Sequence, residues 1–192
     1  MNEKTVPSEG YVQKPRRARF ALYHASAKGN GCAMKLELHP AHDFVDGSIM
    51  AQFARQATML DRSVPGGQFA RFDWDNAICV KLDFFDLTKM LQVLCGECES
   101  IEDGKGLFHR SQKATTRIAM RHLVEPVQGY SLELYRTPAA AGESESSARI
   151  VLSNSEALGL SRIIESALFY VSFGLPVVIP REAADEGADA KS

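Results

Sequence analysis

Between residues 19 and 82, apolar and polar side chains alternate with a period of two, broken by short runs of Gly, Asn, Asp and Pro. That period sends successive side chains to opposite faces of a sheet, so it predicts a meander of strands that each bury one face. Arg19-Phe-Ala-Leu-Tyr-His24 and Ala33-Met-Lys-Leu-Glu-Leu-His39 make the first pair. The loop between them holds Lys28, Gly29, Asn30 and Gly31, of which the last three tolerate the positive φ of a turn. Gly47 to Arg55 reads as a third strand. A fourth is expected after Pro65-Gly66-Gly67, running from Gln68 to Trp74 and on from Ala77 to Leu82, with a bulge or turn at Asp75-Asn76.

A helical period follows. Leu87, Met90, Leu91 and Leu94 share one helix face, Asp83 or Asp86 is placed to cap its start, and Gly96 to stop it. Three further strands are predicted at Ala114 to Leu123, Gly129 to Arg136 and Ala148 to Leu152. The small polar stretch Pro138 to Ser147 is a hairpin connection between the last two. Asn154 or Ser155 then caps a second helix whose broad apolar face holds Leu158, Ile163, Ile164, Ala167, Leu168 and Val171 and ends at Gly174. The order predicts an α+β protein of two antiparallel units, each closed by a helix. Short alternating strands leave one face of each sheet uncovered, which is where function should be sought.

The 192 residues suit a single domain that buries roughly 70% of its unfolded surface. Apolar residues make up 45% and charged residues 24%, which argues against collagenous, coiled-coil or wholly disordered chains. With 22 basic and 24 acidic residues the net charge is −2, so an anionic partner must be held by a local patch. The charges are unevenly placed: residues 1–18 form a flexible basic arm and residues 175–192 an acidic, flexible tail around a domain at 19–174. No apolar run approaches the ~20 residues of a membrane helix, and the polar N-terminus lacks a signal-peptide core, so a cytoplasmic protein without a membrane partner is expected. Four cysteines without a regular framework predict free thiols.

Catalytic signatures are scarce. Cys95-Gly-Glu-Cys98 sits at the C-terminal end of the first helix, whereas a redox pair needs the N-terminal end, where the dipole stabilises a thiolate. A zinc site there would have only His109 as a nearby further ligand, and His39-Pro-Ala-His42 lacks a neighbouring acid, so no metal and no cofactor is expected. No nucleophile elbow, zinc-protease or phosphate-loop motif occurs, and the chain reads as a non-enzyme. The better signal is Lys113, Arg117 and Arg121, spaced by four on one strand and therefore on one face, opposite apolar Ala114, Thr116, Ile118 and Met120. Further cations lie near aromatic residues, as Arg19 does near Tyr23 and Arg71 near Phe72 and Trp74. Single strands are bound through such mixtures, the bases stacking and the phosphates pairing with Lys or Arg.

These segments, in their order, resemble the Whirly family of single-stranded DNA-binding proteins. Phe20-Ala-Leu-Tyr23 is similar to its first strand, Lys28 through Pro40 to its second, and Gly47-Ser-Ile-Met-Ala-Gln-Phe-Ala54 to its third. Phe72-Asp-Trp74 resembles its Tyr-Asp-Trp, and Leu107-Phe-His109 its Phe-Phe-His, with Gly129-Tyr130 and the closing helix from Ser155 to Gly174 in the expected places. Its lysine-glycine-lysine signature is here Lys28-Gly-Asn-Gly, and the second lysine has no unambiguous counterpart. The resemblance implies two antiparallel four-stranded sheets packed crosswise, each unit followed by a helix, and a homo-oligomer, with a tetramer favoured. It implies a single-stranded DNA partner, with RNA as the alternative through the kinetoplastid guide-RNA proteins of the same architecture. Lys28, Lys35, Lys113, Arg117 and Arg121 would then contact phosphates, with Arg19 and Arg71 beside them. Tyr23, Phe72 and Trp74 would be stacking platforms. A structural oligomeric module whose sheets bind protein is the reading from a different class.

Overall fold

A computed structural model describes residues 18–59 and 69–175; the basic arm (apart from Ala18), Pro65-Gly66-Gly67 and the acidic tail (apart from Leu175) lie outside the described residues. Strands β1 (Arg19–His24), β2 (Cys32–His39), β3 (Ser48–Arg55) and β4 (Ile78–Leu82) form an antiparallel sheet in chain order and lead into helix α1 (Phe84–Leu94). Strands β5 (Leu107–Arg110), β6 (Ala114–Leu123), β7 (Gly129–Pro138) and β8 (Ser146–Leu152) repeat that arrangement and lead into α2 (Asn154–Phe173). The fold is two antiparallel four-stranded sheets packed crosswise, each followed by a helix, as expected.

Alternation decides which face is buried. Met34 and Leu36 of β2, Ala51 and Phe53 of β3, and Val80 and Leu82 of β4 face Ile118, Met120, Leu132, Leu134 and Ile150 of the second sheet in one continuous core. Leu134 is fully buried there, and truncating a side chain so placed costs about 2–5 kcal/mol. Leu87, Met90 and Leu94 of α1 and Leu160, Ile164, Ala167 and Val171 of α2 close the core, and the two helices lie against each other.

Both helices start with a capping box. Asp83 caps α1: its carboxylate accepts from the Asp86 N–H, and the Asp86 carboxylate accepts from the Asp83 N–H. The cap of α2 is Ser153, not Asn154 or Ser155. Only Ser153 has an acid three residues on, Glu156, whose N–H donates to the Ser153 hydroxyl while its carboxylate accepts from the Ser153 N–H. The buried face of α2 is also narrower than expected, since Leu158 is exposed and Ile163 only half-buried.

Two strand expectations are corrected. The stretch before β4 is not one long strand: Phe72 makes a single bridge to Gln56, and the chain then turns, the Asp73 carboxylate accepting from both the backbone and side-chain amides of Asn76. The eighth strand is instead β5, four residues long and too short to show alternation by itself. In the β1–β2 loop only Gly29 uses a positive φ. Gly31 is needed for close approach, because a Cβ there would stand 2.3 Å from the His24 carbonyl oxygen.

Candidate nucleic-acid interface

The uncovered face of the first sheet is set by register. Tyr23 lies opposite Ala33, which lies opposite Ala54; one pair along β2, Lys35 lies opposite Gln52, which faces Cys79. Phe72 and Trp74 come over this face from the turn before β4. Tyr23 meets Phe72 at 5.7 Å between ring centroids and Trp74 edge-on at 6.3 Å. Lys35 Nζ stands 4.5 Å over the Trp74 ring, a cation–π contact. Ala33 and Ala54 are fully buried although they belong to the outer face, which places the three rings over them. Tyr23 nevertheless remains 59% exposed, so the cluster presents a ring to solvent as well as covering the sheet.

The other predicted cations around this sheet lie apart from the rings. Arg19 pairs with Glu37 at 3.4 Å at the far end of β1, and Lys28 is exposed in the β1–β2 loop. Arg71 is exposed beside the end of β3, held through its backbone to Ala57 and Thr58. Lys81 shares the outer face by register with Met50 and was not singled out from the sequence.

Arg117 and Arg121 share the outer face of the second sheet, whereas Lys113 lies in the bend just before β6; of the three, only Lys113 has no ion pair or side-chain hydrogen bond among the described residues. Arg117 donates to the carbonyls of Gly104 and Lys105 at 2.8 Å each and lies over the Tyr135 ring, 5.6 Å from its centroid. Arg121 lies 3.7 Å from Glu133, and Arg149 of β8 lies 3.2 Å from the same carboxylate oxygen. Burial by itself would raise the Glu133 pKa. Hydrogen bonds from the Ser131 and Tyr135 hydroxyls and the charges of Arg149 and Arg121 outweigh it and hold the carboxyl below its usual range. Sequence reading missed Glu133 and Arg149; the signal was their cross-strand register, which only the β6–β7 and β7–β8 pairings reveal.

The remaining chemistry is sparse. Cys79 and Cys95 are exposed, Cys98 is half-buried, and burial pushes the Cys32 thiol up to about 11. Among the described residues no group of three or more His, Cys, Asp or Glu could hold a metal ion, and no helix is long and apolar enough to cross a membrane.

Known structures with this arrangement of strands and helices include WHY1 of Arabidopsis thaliana, with a TM-score of 0.58 at 19% identity over 80% of this chain and 86% of that one. The fold is Whirly-like. The likeness extends to Arabidopsis WHY3, at TM-score 0.58 and 18% identity over 82% of this chain and 90% of that one. A structure of MRP1/MRP2 from Trypanosoma brucei shares the Whirly-like fold at TM-score 0.55 and 18% identity, covering 81% of this chain and 86% of that one. No protein-family model and no curated protein matches the chain.

Proposed function

We propose that this chain is a non-enzymatic protein that binds single-stranded DNA largely without regard to sequence, with DNA repair or transcription as its setting. The observation that carries the reading is the convergence of Tyr23, Phe72, Trp74 and Lys35 on one uncovered sheet face. Every base has a π-face, so an aromatic platform beside a cation accepts any sequence, whereas a duplex hides those faces in its own stack. Arg117 and Arg121, with Lys113 in the bend before them, add a second cationic face, and the resemblance to Whirly proteins points the same way.

The protein acts as a homo-oligomer, a tetramer in the family's pattern. Phe169 and Phe173 support this: they lie 5.4 Å apart between centroids on the exposed side of α2, and aromatic surface of that kind is ordinarily covered by a partner. Light scattering after size exclusion reads the mass directly, and a monomer at micromolar concentration refutes it.

The deciding experiment is fluorescence anisotropy of a labelled oligothymidine, repeated with duplex DNA, with single-stranded RNA and with rising salt. The reading expects tight binding to the single strand, weak binding to duplex, and log K falling linearly with log salt. Preference for RNA moves the assignment to an RNA-binding protein of the same fold. Absence of binding to every nucleic acid at low salt refutes the reading, and leaves a protein-interaction module.

A further inference from the structure

Glu133 stands in the middle of the face that would have to receive phosphate. Its two oxygens are held by groups other than the arginines: one accepts from the Ser131 hydroxyl at 2.6 Å, the other from the Tyr135 hydroxyl. The carboxylate is only 14% exposed, while the side chains of Arg121 and Arg149 that reach it are 59% and 52% exposed. The anion is therefore fixed and its cations are the movable partners. Arg149 uses its Nε alone, toward Glu133 and the Ser131 hydroxyl, and no hydrogen bond of its two terminal nitrogens is found among the described residues. The Arg121 contact, at 3.7 Å, is an ion pair too long to be a hydrogen bond. Both arginines also line an open cleft of about 890 Å³ between the ends of the two sheets, with His24, Ser26 and Asn30 opposite.

We propose that Arg121 and Arg149 form a two-arginine seat for a backbone phosphodiester, and that Glu133 is its resident anion, which the phosphate displaces. The inference rests on the single-strand-binding reading and adds to it a residue, Arg149, and a built-in competitor. Guanidinium groups with unused donors turn readily from a carboxylate to a phosphate, since both anions accept in the same planar, two-pronged geometry. Because Ser131 and Tyr135 keep the carboxylate in place after the exchange, Glu133 continues to oppose the bound phosphate and sets an upper limit on affinity.

The test is Glu133→Gln, which keeps the shape and removes the charge, one of the two hydroxyls turning from donor to acceptor for the new amide, measured by oligothymidine anisotropy beside the unmodified protein, with a thermal melt to verify folding. Binding tightens by about three- to ten-fold, the size of one unit charge removed a few ångströms from a phosphate at high effective dielectric. The salt slope steepens by at most about 0.7, the value for one further phosphate of a single strand neutralised. Adding Arg149→Ala to Glu133→Gln abolishes most of the gain. A folded Glu133→Gln protein with unchanged or weaker binding overturns the proposal, because Glu133 then orients the arginines and does not compete. An equal gain from Glu165→Gln, which removes one exposed carboxylate from α2, also overturns it, as a general charge effect. Failure of the unmodified protein to bind refutes the underlying reading and is distinguishable from either result.

Discussion

Replacing Tyr23 with alanine separates two roles that its ring combines. The ring packs on Phe72 and Trp74, and each aromatic contact contributes about 0.5–1.5 kcal/mol beyond its area. Since Tyr23 is 59% exposed, little further burial is lost, and the two contacts set a stability cost of about 1–3 kcal/mol, a fall of roughly 2–12 °C in Tm for a chain of this size. A base stacked on the ring contributes about 1–3 kcal/mol, so Tyr23→Ala weakens oligothymidine binding by about five- to 150-fold at a temperature where the variant is still folded. Stacking releases no counterions, so the slope of log K against log salt stays as it was. Lys35→Ala does the reverse, lowering the slope by about 0.7 if Lys35 neutralises one phosphate. Tyr23→Phe, which keeps the ring, binds within about two-fold of the unmodified protein on the same stacking grounds. Anisotropy titrations at three salt concentrations, with a melt for each variant, read every quantity. Binding by folded Tyr23→Ala within two-fold of the unmodified protein would refute the reasoning: the three rings would then be a hydrophobic cover for Ala33 and Ala54.

In the native protein, a thiol reagent labels Cys79 and Cys95 readily and Cys32 only after denaturation, because burial holds the Cys32 thiol at about 11. Saturating oligothymidine slows labelling at Cys79, which shares the outer face with Lys35 and Gln52, and leaves Cys95 unchanged; mass-spectrometric counting that finds no protection at Cys79 argues against binding on that face. Gly47→Ala forces a Cβ to within 2.7 Å of the Val171 backbone and 2.6 Å of the Ala41 nitrogen, so it destabilises by roughly 1–3 kcal/mol in a denaturant melt. Gly159→Ala, in open space on α2, stabilises by about 0.5–1 kcal/mol; destabilisation instead would mean that a second copy packs on that side of the helix. Burial opposes the ionised form of Glu156, but hydrogen bonds from Ser153 and His24 outweigh it and depress the pKa. Its contribution is therefore full above the ordinary value of 4.5 and lost as pH falls through the depressed one, so Glu156→Gln flattens the acid limb of Tm against pH, and an unaltered limb refutes the assignment. Deleting residues 181–192 tightens oligothymidine binding if the acidic tail competes for the cationic faces, and unchanged affinity rules that competition out.

Where the fold was legible, a local period met a single environment. In β6 the alternation puts Ala114, Thr116, Ile118 and Met120 in the core and Arg117 and Arg121 outside, because one face of the strand packs and the other does not. The α2 cap was misplaced by one or two residues because Asn154 and Ser155 are as good cap formers as Ser153, and only the acid at Glu156 distinguishes them. β4 was overextended because Phe72 and Trp74 imitate strand alternation while their rings lie over the sheet. The candidate site was legible as a list of residues and not as an arrangement. The sequence places Tyr23 almost fifty positions from Phe72, and only the turn at Asp73 to Asn76 brings their rings together. Arg117 reads as a free cation because its acceptors, the Gly104 and Lys105 carbonyls, belong to a loop whose direction is set by positive φ at Glu102, Asp103 and Gly104.

The two outer faces are chemically unlike, and the difference follows from what each sheet has over it. The first is roofed in part by rings and carries Lys35 and Lys81 by register, so the proposed attraction there is mainly stacking and would be weakly dependent on salt. The second carries Arg117, with Arg121 and Arg149 around a fixed carboxylate, so the proposed attraction there is to phosphate and would be strongly dependent on salt. The Arg55 Nε donates to the Ser147 carbonyl at 2.6 Å and ties the end of β3 to the start of β8, holding the two sheets in a fixed relation at that corner. A single strand bound as proposed, crossing from one face to the other, would meet a preset sequence of platform and charge. On the proposed reading, a chain of net charge −2 would hold a polyanion because the attraction is concentrated where the strand lies, and the acidic residues elsewhere are screened within about a Debye length.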